Sequence, residues 1–195
     1  MENNADLNAS ASRDVSTGGG RIEGDVRTGL SSLITAQLQS ERGDLDLQNL
    51  LLAIYVTRLG TLLERVYDRY CQREHGINGG DMGVLLALRR SGSPYVKRPT
   101  DLFRLLLVTP GAITKKVDRL VAVGCVERLP DPSHAGGFLV HMTKKGLQMV
   151  DRAMEYLAKH SALAPAMSQL TPEDRKRGTD FVLAMLLSVE AAEAQ

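Results

Sequence analysis

The chain is short of cysteine and of long apolar runs, and each shortage narrows what it can be. Two cysteines, Cys71 and Cys125, are too few for a disulfide framework in 195 residues. No apolar run approaches the ~20 residues that cross a bilayer, and the opening MENNADLNAS has neither the basic start nor the apolar stretch of a secretory leader. The expected location is a reducing cytoplasm, with no membrane partner. Enzyme signatures are missing too: there is no nucleophile elbow, no phosphate-binding glycine loop and no paired carboxylates in a recognisable setting. The STGGG stretch precedes any strand and so lacks the context of a nucleotide loop. Cys71 with His75, or His134 with His141, falls short of a zinc site, which takes about three or four ligands. The expectation is a protein that is not an enzyme and uses no cofactor or metal.

What is present is an uneven distribution of charge. The formal net charge is only +1, yet residues 76–150 hold 11 Lys/Arg against 5 Asp/Glu, whereas residues 1–75 hold 8 against 11 and residues 151–195 hold 5 against 7. A basic middle between acidic flanks points to an anionic partner, with an unevenly charged solvated surface as the plain alternative.

Residues 1–25, rich in Asn, Ser, Ala and Gly, read as a disordered tail. Residues 26–44 hold an extra helix, with Leu30, Leu33, Ile34 and Leu38 at helical spacing before Gly43. Residues 45–75 form a long helix, capped by Asp44 or Asp46, whose apolar positions cover more than one stripe. Residues 144–195 carry further helices: Thr143 caps the first, with Leu147, Val150, Met154, Leu157 and Ala158 on one face. Thr171 and Pro172 open the last, which Phe181, Val182, Leu183, Met185, Leu186, Leu187 and Val189 nearly encircle. Helices apolar on most sides at both ends predict a homodimer interface, against the alternative of a fully buried helix.

The basic middle, residues 76–143, resolves into short elements. DMGVLLALRR is a helix, YVKR a short strand, and Thr100 the expected cap of a brief helix that stops near Val108. Thr109-Pro110 then opens another, with Thr as N-cap and Pro at its first position, so the pair forms a helix-turn-helix. In the second helix Ile113, Val117, Leu120 and Val121 make the buried stripe. Gly111, Ala112, Lys115, Asp118, Arg119 and Ala122 face outward, flanked by Thr114 and Lys116. Small residues let a helix enter a major groove, while hydroxyls and cations meet base edges and phosphates. CVERL and FLVHM read as paired strands, which completes a winged helix-turn-helix. The predicted fold is mainly α with a small β-wing, the lobe sitting between N- and C-terminal dimerisation helices.

RPTDLFRLLLVTPGAITKKVDRLVAVGCVERLPDP followed by LVHMTKKG resembles the MarR family of bacterial transcriptional regulators over roughly residues 47–189. The resemblance implies a homodimer on a palindromic operator in double-stranded DNA. It further implies repression, relieved by a small aromatic effector, carboxylate or phenolic, held between the lobe and the dimer helices. It places Thr109, Gly111, Ala112, Thr114, Lys115, Lys116 and Arg119 on the recognition helix, with Lys115 and Lys116 toward phosphates and Thr114 and Arg119 toward bases. Arg128 and residues 134–137, including His134, Gly136 and Gly137, fall on the wing. For the effector, Arg58, Tyr70 and His75 are candidates, although Arg58 packing its stem while its head reaches water is the simpler reading. A redox- or metal-sensing regulator of the same fold, or an activator, is the alternative, with both cysteines as small core residues.

One departure stands out. The family commonly has Asp-Arg-Arg after the PDP corner, and this sequence has His134, Ala135 and Gly136. Without those arginines the wing is expected to bind a narrow minor groove more weakly.

Overall fold

A computed structural model of the chain describes residues 28–193, so the expected tail over residues 1–25 lies outside the described residues. The described residues fall into two compact units, with the boundary between Val56 and Thr57. In the first, α1 (Thr28–Arg42) stops at Gly43, and Asp46 Oδ1 accepts from the Gln48 N–H at 3.0 Å, fixing the start of α2 (Gln48–His75). The second half of α2 belongs to the other unit.

The second unit continues with α3 (Gly79–Arg90), β1 (Val96–Lys97), α4 (Pro99–Leu105), α5 (Pro110–Ala122), β2 (Val126–Pro130), β3 (Phe138–Met142), α6 (Lys144–His160), α7 (Ala164–Met167) and α8 (Pro172–Glu193). The sheet order is β1-β3-β2, all antiparallel, with Val126 opposite Met142 and Pro130 opposite Phe138 in the hairpin. The winged helix-turn-helix is thus present, and the chain is mainly α with a small sheet.

Three helix starts follow the local chemistry that the sequence displays. Thr109 Oγ1 accepts from Ala112 N–H, Thr143 Oγ1 from Gly146 N–H, and Thr171 Oγ1 from Asp174 N–H, at 3.1–3.2 Å. A fourth start differs. Arg98, not Thr100, is the N-cap of α4, because Pro99 has a φ already suited to the first helical position and no N–H to leave unpaired.

Met82, Leu85 and Leu88 of α3, Leu102 of α4, and Ile113, Val117 and Leu120 of α5 close the core with Val140 of the sheet and Val150 of α6. Val121, expected in the buried stripe, is 38% exposed. One helical step of about 100° from Leu120 carries it past the edge of the packed face. The start of α6 is stitched to the end of α5: Thr143 Oγ1 donates to Gly124 O at 2.8 Å and Lys145 Nζ to Val123 O at 2.7 Å. A Cβ at Gly146 would collide with the Cys125 carbonyl, so only glycine allows this approach.

By contrast, α8 is exposed along its length, with Phe181, Val182, Leu183, Leu186, Leu187 and Val189 each at least half open. That excludes the fully buried helix. Among the described residues no helix is long and apolar enough to cross a membrane.

Both helices of the helix-turn-helix end in the same paired hydrogen bonds. At α5, Cys125 N–H reaches Leu120 O and Gly124 N–H reaches Val121 O, both at 2.9 Å, with Gly124 at φ +72°. At α4, Val108 N–H reaches Phe103 O at 3.1 Å and Leu107 N–H reaches Arg104 O at 3.3 Å, but the left-handed residue is Leu107, at φ +51° and 89% exposed. A leucine there bears the steric cost of a left-handed backbone without burying its side chain. Leu107→Gly should therefore raise stability by about 1 kcal/mol in a urea melt, net of the entropy glycine adds to the unfolded chain. A loss of stability would show that Leu107 makes contacts outweighing its backbone strain.

Candidate nucleic-acid interface

The capped start of α5 leaves Thr109, Gly111, Thr114 and Lys115 exposed on its outer face, with Ala112 half-buried beside them. Thr114 Oγ1 donates to Pro110 O at 3.1 Å and keeps its lone pairs toward solvent. Lys115 makes no ion pair with another described residue.

The other two cations of α5 are placed differently. Arg119 grips Asp81 with both arms, Nε to Oδ2 at 2.8 Å and a terminal nitrogen to Oδ1 at 2.6 Å. Asp81, in the first turn of α3, is only 1% exposed, whereas the Arg119 side chain is half open. The carboxylate raises the Arg119 pKa further, so the guanidinium is committed to the lobe. Lys116, half-buried, turns away from the outer face, and its Nζ rests against Gly80 of α3.

On the wing, Arg128 pairs with Asp118 of α5, and its guanidinium lies 4.8 Å from the centre of the Phe138 ring. The tip is organised by Asp131, which sequence reasoning did not single out. Its Oδ2 accepts from Arg98 Nε at 2.8 Å, its Oδ1 accepts from Ser133 N–H and Oγ–H at 2.9 and 2.6 Å, and Arg98 also donates to Ser133 Oγ. His134 and Ala135 are exposed at the turn. Gly136 sits at φ +76°, and Gly137 packs so closely on His134 that an added Cβ would lie 3.0 Å from its ring. Where the resemblance expects arginines, the structure has a glycine turn held from below by a carboxylate.

The effector candidates separate. Tyr70 stacks on Tyr156 with ring centres 3.7 Å apart, and its hydroxyl lies 3.2 Å from His75 Nε2, so these two do come together. Burial lowers the His75 pKa and raises that of Tyr70. Tyr70 and Tyr156, with Tyr67, Leu63 and Leu157, line an apolar cavity of about 330 Å³. A second cavity of about 710 Å³ lies between α2 and the lobe and is lined by Arg65, Arg69, Tyr67, Leu106, Val108 and Lys116 among others. Arg58 is half-buried and lines neither cavity. Sequence reasoning also missed Tyr67, which is common to both cavities and whose hydroxyl is buried.

Both thiols are fully buried, and burial pushes Cys71 up to about 11 and raises Cys125. A reactive thiol needs the reverse, an exposed site with a lowered pKa. His141 pairs with Glu127 at 2.7 Å, and among the described residues no three His, Cys, Asp or Glu side chains gather as metal ligands. Nothing in this geometry favours the redox or metal reading.

The Arg98 hydrogen bond, then those from Ser133, hold the Asp131 carboxyl well below its usual range. A group with a depressed folded pKa contributes stability above its unfolded value, near ~3.9, and loses it as pH falls through the folded one. Asp131→Asn should therefore lower stability by a constant amount from about pH 8 to 5, with the difference shrinking only below about pH 4. Urea melts across that range check it; a difference already vanishing near neutrality would mean the clamp is not formed.

Comparison with known proteins gives this arrangement a setting. Residues 75–135 match the model of the MarR family. The chain is 26% identical over 122 residues to the HTH-type transcriptional regulator PecS of Dickeya dadantii, covering 63% of this chain and 73% of that protein. It is 38% identical over 61 residues to the multiple antibiotic resistance protein MarR of Escherichia coli, covering 31% of this chain but only 42% of that protein. Among solved structures, a MarR family transcriptional regulator from Streptomyces coelicolor in complex with DNA superposes with a TM-score of 0.63 at 25% identity, over 73% of this chain and 88% of its own. A cysteine-to-serine mutant of MarR from E. coli, complexed with operator DNA, gives 0.59 at 26% identity over 73% and 99%. PecS and the Streptomyces coelicolor protein are named as transcriptional regulators, and the segment of this chain that carries the capped helix-turn-helix and tethered wing is similar to the MarR family.

Proposed function

We propose that the protein is a DNA-binding transcriptional regulator acting as a homodimer on a palindromic operator, most simply a repressor. The observation that carries the reading is the exposed N-terminal half of α5. There Thr109, Gly111, Ala112, Thr114 and Lys115 offer small, hydroxyl and cationic groups with the positive end of the helix dipole behind them. Two relatives solved with DNA support the same partner. The exposed apolar length of α8 supports the dimer, because a surface of that kind is costly to leave in water. A twofold dimer in turn calls for a twofold operator.

Release by a small aromatic effector, carboxylate or phenolic, is part of the proposal. The two cavities that share Tyr67 are of the size small ligands fill, and one is bordered by cations. A mobility-shift titration on a palindromic fragment of the upstream region and on random DNA tests the reading. Preference for the fragment supports it, and equal or absent binding sinks it.

The wing sharpens the test. Ala135 is exposed, and an arginine there should tighten binding and steepen the salt dependence, by about one unit of slope for each protomer engaged. Gly136→Arg adds the same charge but puts a side chain on a left-handed backbone at φ +76°, costing about 1–2 kcal/mol. Its gain in affinity should be smaller and its melting temperature lower. If Ala135→Arg changes neither affinity nor slope, the wing does not reach DNA.

A further inference from the structure

Among the described residues two that are not glycine have a left-handed backbone, Tyr95 at φ +59° and Leu107 at φ +51°. Such a backbone is costly under a bulky side chain and persists where other interactions offset it. For Tyr95 the offset lies inside the lobe. Its ring packs against the core 5.4 Å from the Arg89 guanidinium, its N–H reaches Gly92 O at 2.7 Å, and its carbonyl accepts from Met142 N–H at 3.1 Å. Leu107 has nothing comparable. Its neighbours Leu106 and Val108 pack on the core, while Leu107 itself is 89% exposed, the most open large apolar side chain among the described residues. A glycine would hold the same turn, as Gly124 does at the end of α5.

The place of this leucine in the chain indicates what covers it. It stands two residues before Thr109, the N-cap of α5, so the two Cα atoms lie within ~7 Å of each other. This is the end of α5 that carries Gly111, Ala112, Thr114 and Lys115. The Thr109 hydroxyl is bonded to Ala112 N–H and the Thr114 hydroxyl to Pro110 O, both within the helix. Apart from Lys115, what this end then offers is chiefly the methyl groups of Thr109, Thr114 and Ala112, beside Leu107. Arg119, the side chain best suited to guanine, is turned inward to Asp81. In the major groove thymine is the base that presents a methyl group.

We propose that Leu107 determines specificity: it packs on thymine 5-methyl groups at the edge of each operator half-site, so that the lobe selects thymine by apolar contact. The inference rests on the DNA reading above and names what that site reads. Burial against the base edge offsets in the complex what the left-handed leucine costs the free protein.

The test uses the palindromic fragment of the upstream region in two forms, one with thymine and one with uracil, which pairs identically but lacks the methyl group. The unsubstituted full chain is compared with Leu107→Gly, Leu107→Asn and Leu107→Met in mobility shifts at one salt concentration. The unsubstituted protein should bind the thymine form more tightly, by about fourfold for each methyl group contacted. Leu107→Gly and Leu107→Asn both accept a left-handed backbone. In each, that ratio should fall by about fourfold for each half-site, and affinity for the thymine form should fall by about tenfold for each. Leu107→Met keeps the apolar reach and should retain most of the ratio. Because the ratio compares two DNAs on one protein, a partly unfolded sample does not alter it. A ratio near one in the unsubstituted protein, or a ratio unchanged in Leu107→Gly and Leu107→Asn, overturns the proposal. Absence of binding to either form sinks the proposed function and this inference together.

Discussion

Asp81 is a carboxylate enclosed by the core of the lobe, and its position constrains the rest of that lobe. A buried charge must be paired and hydrogen-bonded or it is strongly destabilising, and Arg119 satisfies both of its oxygens at 2.6 and 2.8 Å. Asp81 lies in the first turn of α3 and Arg119 near the end of α5, so the bidentate contact fixes the rotation of α5 as well as its distance from α3. Apolar packing of Ile113, Val117 and Leu120 tolerates small rotations; a two-point hydrogen bond to a fixed carboxylate tolerates much less. The face that α5 turns outward, from Thr109 to Lys115, is therefore set by a polar contact inside the lobe. A buried pair of this kind contributes more to a unique geometry than to net stability, because desolvation offsets much of the attraction.

The same economy of charge runs through the basic segment. Its surplus of 11 cations over 5 acids suggests a strong positive field. Yet Arg89, Arg98, Arg119 and Arg128 are each held by a carboxylate, from Asp151, Asp131, Asp81 and Asp118 respectively. A paired guanidinium neutralises little phosphate, so composition overstates the charge available to DNA. The cations left for that work are chiefly lysines such as Lys115, and the wing, whose carboxylate anchor already occupies Arg98, adds none at its tip. Affinity resting on few unpaired cations depends correspondingly more on shape and on hydroxyl and apolar contacts in the groove.

How much of this was legible in the sequence follows from the range of each interaction. Thr109-Pro110, Thr143 and Thr171-Pro172 announce helix starts because a cap acts within three residues, and Gly124 announces a stop for the same reason. The order of elements, and with it the winged helix-turn-helix, was readable from such signals. Arg119 was read as a base contact from its place on the helical wheel, since nothing local shows that Asp81, 38 residues earlier, is buried beneath it. Lys116 lies on α5 as its spacing predicts, but its flexible four-carbon stem carries the head to Gly80, away from the face on which its Cα lies. Even the short-range rules have an order of precedence, since Pro99 displaced Thr100 from the cap of α4.

The wing shows how one carboxylate can change what a loop is for. With Asp131 drawing in Arg98 and Ser133, the turn from Asp131 to Gly137 is held by its own hydrogen bonds, Asp131 N–H to Gly137 O and Gly137 N–H to His134 O at 3.1 and 2.9 Å. A tip so organised does not need DNA to order it, which lowers the entropic cost of any contact it makes. It also has little cationic reach, since the two positions that the resemblance would give to arginines are Ala135 and Gly136, the latter in a left-handed turn. Rigidity and charge have thus been exchanged: the wing is pre-shaped but nearly neutral, suited to bracing α5 through Arg128 and Asp118 more than to gripping a narrow groove. If discrimination between sequences exists, it then falls to the few exposed side chains at the start of α5, and their orientation leads back to the buried carboxylate of Asp81.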